Sequence, residues 1–414
     1  MCDNLEVDNL THSLAGFASV ELLNVIKPQT HRRVYLGAHL VALLTNNLPD
    51  LDFVYSGIIK GRLGYLLHHR GHTHTFPFAF LLSALVALGA IFWLQRGGRT
   101  LSRTDKLALF TVAFVGGALH LFLDGWNIYG IHPFWPIDNR WFYGDSIFII
   151  EPFLWGVVLP LVALSCLPRG VRFAALAVLG LYYYLIWITG YLLGGASVLL
   201  TLLPVLIWGL NHGLGYRRVF ILVLAVTGIG LAGYFSLSGY LKSQLVAEFG
   251  TQGERELDVM LSPLPANPFC WTVVVSFETK DGATLGLRRG LMAPFPGIVA
   301  TDACPRLRRS GSTAPLQPLS SAHPRQMLWM GELRYSRLAF SQLAADNCIF
   351  GAFLRFSRAP FFIREGDELI IGDLRFDWET ELSFAELKIP LHPGTCPQFL
   401  PPWIPPRRQW LVEK

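Results

Sequence analysis

Residues 107–124 read LALFTVAFVGGALHLFLD. The run carries no formal charge before Asp124, and its length and character are those of a helix that crosses a bilayer. It ends on His120 and Asp124, four residues apart, so a helix projects both from one face at its end. An imidazole and a carboxylate paired in this way suit zinc or a similar divalent ion. The stretch therefore sets two expectations together: a membrane helix, and a metal-binding pair at the membrane boundary.

The same pattern recurs elsewhere in the first 151 residues. Asp8/His12, Asp50/Asp52, His69/His72/His74, His120/Asp124 and Asp145/Glu151 each lie at the end of an apolar run. Asp8 and His12 repeat the four-residue spacing in reverse. In Asn47-Leu48-Pro49-Asp50-Leu51-Asp52, Pro49 stops a helix and delivers two carboxylates at the membrane surface. His68-His69-Arg70-Gly71-His72-Thr73-His74 places four imidazoles in seven residues, of which His68 and His72 read as spare. A carboxylate pair with a histidine cluster can bridge two metal ions, activate water and clamp a phosphoryl group. Taken singly, each cluster has a plainer reading: an interfacial histidine, a solvated turn at Asp50/Asp52, or Asp145 capping the next helix. Ionisable groups beside membrane spans are costly, however, and five such clusters on one face favour a site.

The chain has 414 residues and is 52% hydrophobic and 15% charged, against about 25% charged for a soluble domain. Its mean hydropathy is +0.40. The apolar excess is confined to residues 10–241. Clear runs cover 76–95, 107–123, 147–167, 173–193, 196–210 and 219–241, with weaker ones at 10–26 and 34–48, the last short enough to be re-entrant. The sequence thus predicts an all-α transmembrane helical bundle of about eight spans, some short or re-entrant, over residues 1–241. No cleavable leader is expected, because the first residues are acidic. From 242 to 414 the long apolar runs give way to prolines and short aromatic or β-branched stretches. Trp271–Phe277, Phe353–Phe356 and Leu369–Phe376 read as strands of a β-rich extramembrane domain, and Pro401–Pro406 as a stop without structure. Four of the six cysteines, Cys270, Cys304, Cys348 and Cys396, lie in this part. They form either two disulfides, with three possible connectivities, or four thiols.

Charge sets the orientation. Alternate loops at 27–33, 96–106, 169–172 and 217–218 hold eleven basic residues and one acidic, while 1–8, 49–75 and 125–146 hold four basic and seven acidic. The positive-inside rule puts the second set, the five clusters and the C-terminal domain outside the cytoplasm. The net charge of +5 is modest and lies mostly in loops, so no nucleic-acid binding is expected.

Asp8-Asn9-Leu10-Thr11-His12-Ser13-Leu14-Ala15-Gly16, Leu48-Pro49-Asp50-Leu51-Asp52, His69-Arg70-Gly71-His72-Thr73-His74 and His120-Leu121-Phe122-Leu123-Asp124 resemble the motifs of the YdjM/YbcI-like inner-membrane proteins, predicted metal-dependent hydrolases of which some are described as LexA-linked. Ser262-Pro263-Leu264-Pro265-Ala266-Asn267-Pro268 resembles that family's extramembrane portion. The order His, Asp, His, His-x-x-x-Asp is also similar to that in the zinc-dependent phospholipase C and P1-nuclease group. That likeness implies one or two zinc ions and phosphodiester hydrolysis, with His12, Asp50, His74, His120 and Asp124 as ligands and Asp52 and His69 as ligands or as residues orienting them. The group's further His-x-x-x-Glu is missing, since His132 has no acid four residues on, and a third ion is not expected.

The combined expectation is a metal-dependent hydrolase of the bacterial inner membrane with its site on the outer side. Coordination lowers the pKa of water to about 7, which supplies the nucleophile. Asp50 or Asp52 bridges metals or acts as base, and Arg70 is the candidate for holding an anionic substrate, a lipid or lipid-linked phosphoester. The rivals are a transporter or metal-handling protein, and a partner-binding protein with a structural metal site. Reporter fusions at Gly98 and Gly170 should read cytoplasmic, and fusions at Gly130 and Gly282 outside. A cytoplasmic reading at Gly130 would overturn the orientation.

Overall fold

The computed structural model describes residues 9–28, 31–59, 61–188, 192, 194–252, 254–305 and 311–411. Asp8 lies outside them. The apolar part begins with α1 (Asn9–Ile26) and α2 (Arg32–Thr45), followed by a 3-10 turn at Leu48–Asp52 and the short helices α3 (Phe53–Ser56) and α4 (Arg62–His68). A second 3-10 turn at His72–His74 leads into α5 (Phe76–Gln95), α6 (Arg103–Gly125), α7 (Pro152–Leu164), α8 (Arg169–Ile188), α9 (Gly194–Leu214) and α10 (Tyr216–Gln252). Each of the eight expected apolar runs contains a helix, although 147–151 and 165–167 lie outside α7. Among the described residues five helices, α5, α6, α8, α9 and α10, are long and apolar enough to cross a membrane. α7 is apolar but has 13 residues with Pro160 inside, and α2 has 14. Leu81, Leu85, Leu88 and Phe92 of α5 and Leu199, Leu202 and Leu206 of α9 are exposed, as suits helices that face hydrocarbon.

Small residues set the helix spacing around α2. A Cβ on Gly116 of α6 would lie 2.2 Å from Thr45 Oγ1 and 2.8 Å from Asn46 Nδ2, and one on Gly16 of α1 would lie 3.0 Å from Ala42 O. α1 and α6 therefore approach α2 closely on two sides, as small residues allow in membrane bundles.

α10 runs eleven residues beyond 241, so the division expected at 241/242 falls inside a continuous helix. Its last turns place Leu241, Leu245 and Phe249 against Val259, Leu261, Trp271, Val273, Val275 and Phe277 of a sheet. That sheet is the antiparallel β1 (Glu254–Leu264), β2 (Asn267–Thr279), β3 (Thr284–Met292) and β4 (Met327–Ser336) in sequential order. Its other face contributes Met260, Val274, Leu285, Leu287 and Leu333 to a second core. β2 is covered on both sides, and Trp271–Phe277 accordingly reads as a nearly continuous apolar run. α11 (Arg337–Asp346) and α12 (Cys348–Phe353) follow, and then the antiparallel sheet β5 (Pro360–Glu365), β6 (Glu368–Asp373) and β7 (Glu386–Pro390).

Several expectations are corrected here. Phe353–Phe356 is not a strand. It closes α12 and continues into a turn, held because Phe350, Phe353 and Phe356 all point into the core. The Leu369–Phe376 strand stops at Asp373. The proline-rich tail is docked, since Trp403 is buried and its Nε1 donates to Leu67 O at 2.7 Å. The cysteines pair as Cys270–Cys304 and Cys348–Cys396.

The C-terminal domain is fused to one end of the bundle. Leu63, Leu66 and Leu67 of α4, with Ile128, Tyr129 and Trp141, share a core with Phe340, Phe350, Phe356 and Trp403. Asp145 belongs to this junction. Arg358 pairs with it through two bonds of 2.7 and 2.9 Å, Lys242 adds a third at 2.7 Å, and Arg358 also holds Asp258 of β1. Burial opposes ionisation of Asp258, but Arg358 and Arg407 hold its carboxyl down at about 2. Removing one partner from a buried ion pair is costly. Arg358→Ala should therefore destabilise the chain by about 3 kcal/mol, at the low end of that range because Lys242 and Arg407 remain. A denaturation midpoint unchanged from wild type would show that the network does not hold the junction.

Candidate metal centre

The site forms where α2, α6 and the two 3-10 turns meet. Pro49 opens the first turn and directs Asp50 and Asp52 inward, and both are buried. The chain then reverses at Arg70, which sits at φ +57°, a left-handed conformation that costs a non-glycine residue energy and marks functional sites. This reversal aims the Arg70 backbone N–H at Asp52 Oδ2 (2.8 Å) and brings His74 in behind it. From α6, His120 and Asp124 enter on one face, with Gly116 one turn earlier on the same face against Asn46.

Asp50, His74, His120 and Asp124 are all buried, and one ligand atom from each lies within 4.8 Å of the others. His74 Nε2 is 3.0 Å from His120 Nε2, 3.2 Å from Asp50 Oδ1 and 3.0 Å from Asp124 Oδ2. His120 Nε2 is 3.5 Å from Asp50 Oδ1 and 3.3 Å from Asp124 Oδ2. A tetrahedral zinc centre with bonds of roughly 2.0–2.1 Å has edges of about 3.3 Å, so the spacing fits.

The tautomers reinforce the fit. His120 Nδ1 lies 2.7 Å from the backbone carbonyl of Asn46, which can only accept a hydrogen bond, so Nδ1 carries the proton. His74 Nδ1 faces Asp52 Oδ2 at 3.2 Å and is assigned the same way. Both Nε2 atoms then present lone pairs to each other and to two carboxylates. Among the described residues, Asp124 Oδ2 and Asp50 Oδ2 have no protein hydrogen-bond partner. Buried acceptors in excess of donors are unfavourable unless a cation joins them. A carbonyl or carboxylate behind each imidazole is the usual backing of a metal-bound histidine.

The structure divides the expected ligands into two groups. Asp52 is not among the four converging residues. It accepts from His69 Nδ1 (2.9 Å), Arg70 N and Thr73 Oγ1 (3.3 Å), and it orients His74. Burial opposes its charge, yet the bonds from His69 and His74 hold its carboxyl below the usual range. His69 lies one step further out, against Asp52. His12 stacks on His120 at 4.1 Å between ring centroids, with Nε2 3.5 Å from Asp124 Oδ1, so it borders the centre. The Arg70 guanidinium holds Asp124 Oδ1 (2.6 Å), Asp124 O (3.1 Å) and Asn127 Oδ1 (3.0 Å), and it stacks on Tyr129. Its expected role in holding an anion must therefore operate alongside these bonds. His72 packs on Trp135 and Trp403, away from the centre. Asp145 stands away from the site, and Glu151 is not among the four converging residues but lines the cleft beside His12, Arg70 and Asp124. Asp145 is in the domain junction, and Glu151 caps α7 through Phe153 N (3.2 Å) and accepts from Ala266 N (3.0 Å). A cleft lined by Thr11, His12, Arg70, Asp124, Trp126 and Asn127 reaches the centre from the side of α1.

Sequence reading missed Asn46 and Asn127. Asn46 acts through its backbone carbonyl, which no residue pattern reports. Asn127, three residues beyond Asp124, carried a weak signal as a polar residue just past the span.

These features define a multi-helix membrane protein with a buried His/Asp group at one end of its bundle that could hold a metal ion. Residues 7–193 match the family model described as YdjM inner membrane protein, so this part of the chain is similar to that family. The match ends before residues 262–268, so it does not reach the extramembrane stretch. The chain is also 28% identical over 155 residues to the uncharacterized protein YfhP of Bacillus subtilis (strain 168), covering 36% of this chain and 44% of that protein. It thus spans less than half the length of this curated relative. No solved structure matches.

Competition with a chromogenic chelator should show that His74→Ala abolishes tight divalent-metal binding. Asp52→Asn should keep the stoichiometry but weaken affinity by about 10- to 100-fold, the usual effect of losing the group behind a ligand. Equal binding by wild type and His74→Ala would contradict the assignment.

Proposed function

We propose that this chain is a membrane-bound metal-dependent hydrolase, a phosphoester hydrolase acting on a lipid or lipid-linked substrate at the outer face of the inner membrane. The observation that carries the reading is the buried convergence of Asp50, His74, His120 and Asp124. Imidazole with carboxylate suits zinc, which would activate water and polarise a phosphoryl oxygen. The chain's own residues then have defined tasks. Asp52 and the Asn46 carbonyl fix the two imidazoles, Arg70 fixes Asp124, and the narrow cleft beside His12 and Trp126 borders Asp124. That cleft lies where α1 begins and α6 ends, which favours a substrate drawn from the membrane surface. The two disulfides favour an oxidising compartment for the C-terminal domain, in agreement with the charge asymmetry of the loops.

A second reading has one specific observation behind it. Four protein ligands complete a tetrahedron, as in structural zinc sites, whereas catalytic sites keep a position open. A structural ion would leave the protein without hydrolytic activity.

The test is a screen of phosphodiester substrates, including phospholipids in mixed micelles, with purified protein and added zinc or manganese. His120→Ala and Asp124→Ala should each lose bound metal and activity while still inserting. Asp105→Ala removes a capping box at the other end of α6 and should keep both, at a cost of about 1 kcal/mol in stability. Full activity in the His120 variant would refute the catalytic reading, and metal loss without any detectable wild-type turnover would favour the structural one.

A further inference from the structure

A groove of about 600 Å³ runs along the middle of α10, within the range of about 300–1,000 Å³ typical of ligand sites. One wall is a single helix face, carrying Gly230, Gly233, Tyr234, Leu237 and Tyr240 at spacings of three and four residues. The facing wall is Pro268 and Phe269 at the start of β2 together with Phe295, and the two phenylalanine rings are 6.3 Å apart. The disulfide Cys270–Cys304 ties these pieces together, because Cys270 follows Phe269 and Cys304 anchors the segment that begins near Phe295. A Cβ on Gly233 would meet nothing within 4 Å, so the glycine leaves the groove open. Phe295 and Ile298 beside it are 45% and 71% exposed.

The level of the groove follows from a neighbouring contact. Phe235, next to Tyr234, packs on Trp126 at 5.5 Å between ring centroids, and Trp126 follows the last residue of α6. The groove therefore starts at the membrane boundary, where tyrosine is enriched. It is also continuous with the exposed face of α10 that carries Val226 and Ile229, an apolar face suited to hydrocarbon.

We infer that this groove seats one hydrocarbon chain of a bilayer phospholipid, held between α10 and the Phe269/Phe295 wall. The inference does not depend on the hydrolase reading. If both hold, the seat lies within one ring contact of Trp126, which also lines the cleft beside Asp124.

The full-length protein is reconstituted into phosphatidylethanolamine/phosphatidylglycerol vesicles containing a trace phospholipid with a diazirine on one acyl chain. After photolysis the label is mapped by mass spectrometry. Label is expected on the peptides carrying Phe269 and Phe295. It should be lost in Gly233→Trp, while label on the exposed α9 face at Leu199–Leu206 stays unchanged. Phe295→Ser, in an exposed loop, serves as a second variant should Gly233→Trp insert poorly, and it should reduce label at Phe269. Equal label at Phe269 in wild type and both variants would overturn the inference. So would absence of label there with a change of oligomeric mass in Gly233→Trp, which would mean that a second copy of the chain covers the groove.

Discussion

Four buried acceptor atoms face one another at one end of the helix bundle, and the rest of the site is organised around keeping them there. Two imidazole nitrogens 3.0 Å apart, flanked by two carboxylates, repel unless a metal ion or a proton sits among them. The arrangement is enforced by backing groups. The Asn46 carbonyl and the Asp52 carboxylate fix the tautomers of His120 and His74, and Arg70 clamps Asp124 while its own backbone N–H returns to Asp52. The strained turn at Arg70 makes this double use of one residue possible.

Helix packing supplies the distances. Because residues 16 and 116 are glycines, α1 and α6 close on α2, and the Asn46 carbonyl reaches His120. A side chain at Gly116 would push α6 away and open the His120–Asn46 bond before it touched any ligand. The C-terminal domain adds a lid of a different kind. Arg358 reaches from the domain into the membrane half to hold Asp145, and Trp403 bonds the carbonyl of Leu67 three residues before Arg70. Domain docking and site geometry thus share the segment 63–70.

Much of this was legible in the sequence, and what was not has physical causes. The four-residue spacing of His120 and Asp124, the Pro49 stop before Asp50 and Asp52, and the histidines at 69–74 announce themselves because helix periodicity and proline chemistry act locally. Their division into ligands and orienting residues was not legible. Asp50 and Asp52 are two apart and equally buried, and only the turn decides which one faces His74 Nε2. Asp145 matched the pattern of the other clusters but serves the domain junction, and Glu151 bonds that junction from the wall of the cleft, because their partners, Arg358 and Ala266, are 213 and 115 residues away. Phe353–Phe356 read as a strand because a short aromatic run has no period of its own. The helical extension past residue 241 carried the signal Leu241, Leu245, Phe249, but the drop in hydropathy there resembled a boundary.

X-ray absorption spectroscopy of the purified chain loaded with one equivalent of zinc tests the central claim most directly. The account predicts a first shell of two imidazole nitrogens and two carboxylate oxygens at about 2.0–2.2 Å, with the imidazole scattering halved in His120→Ala. A shell of oxygens alone, or one that survives loss of His120 unchanged, would contradict it.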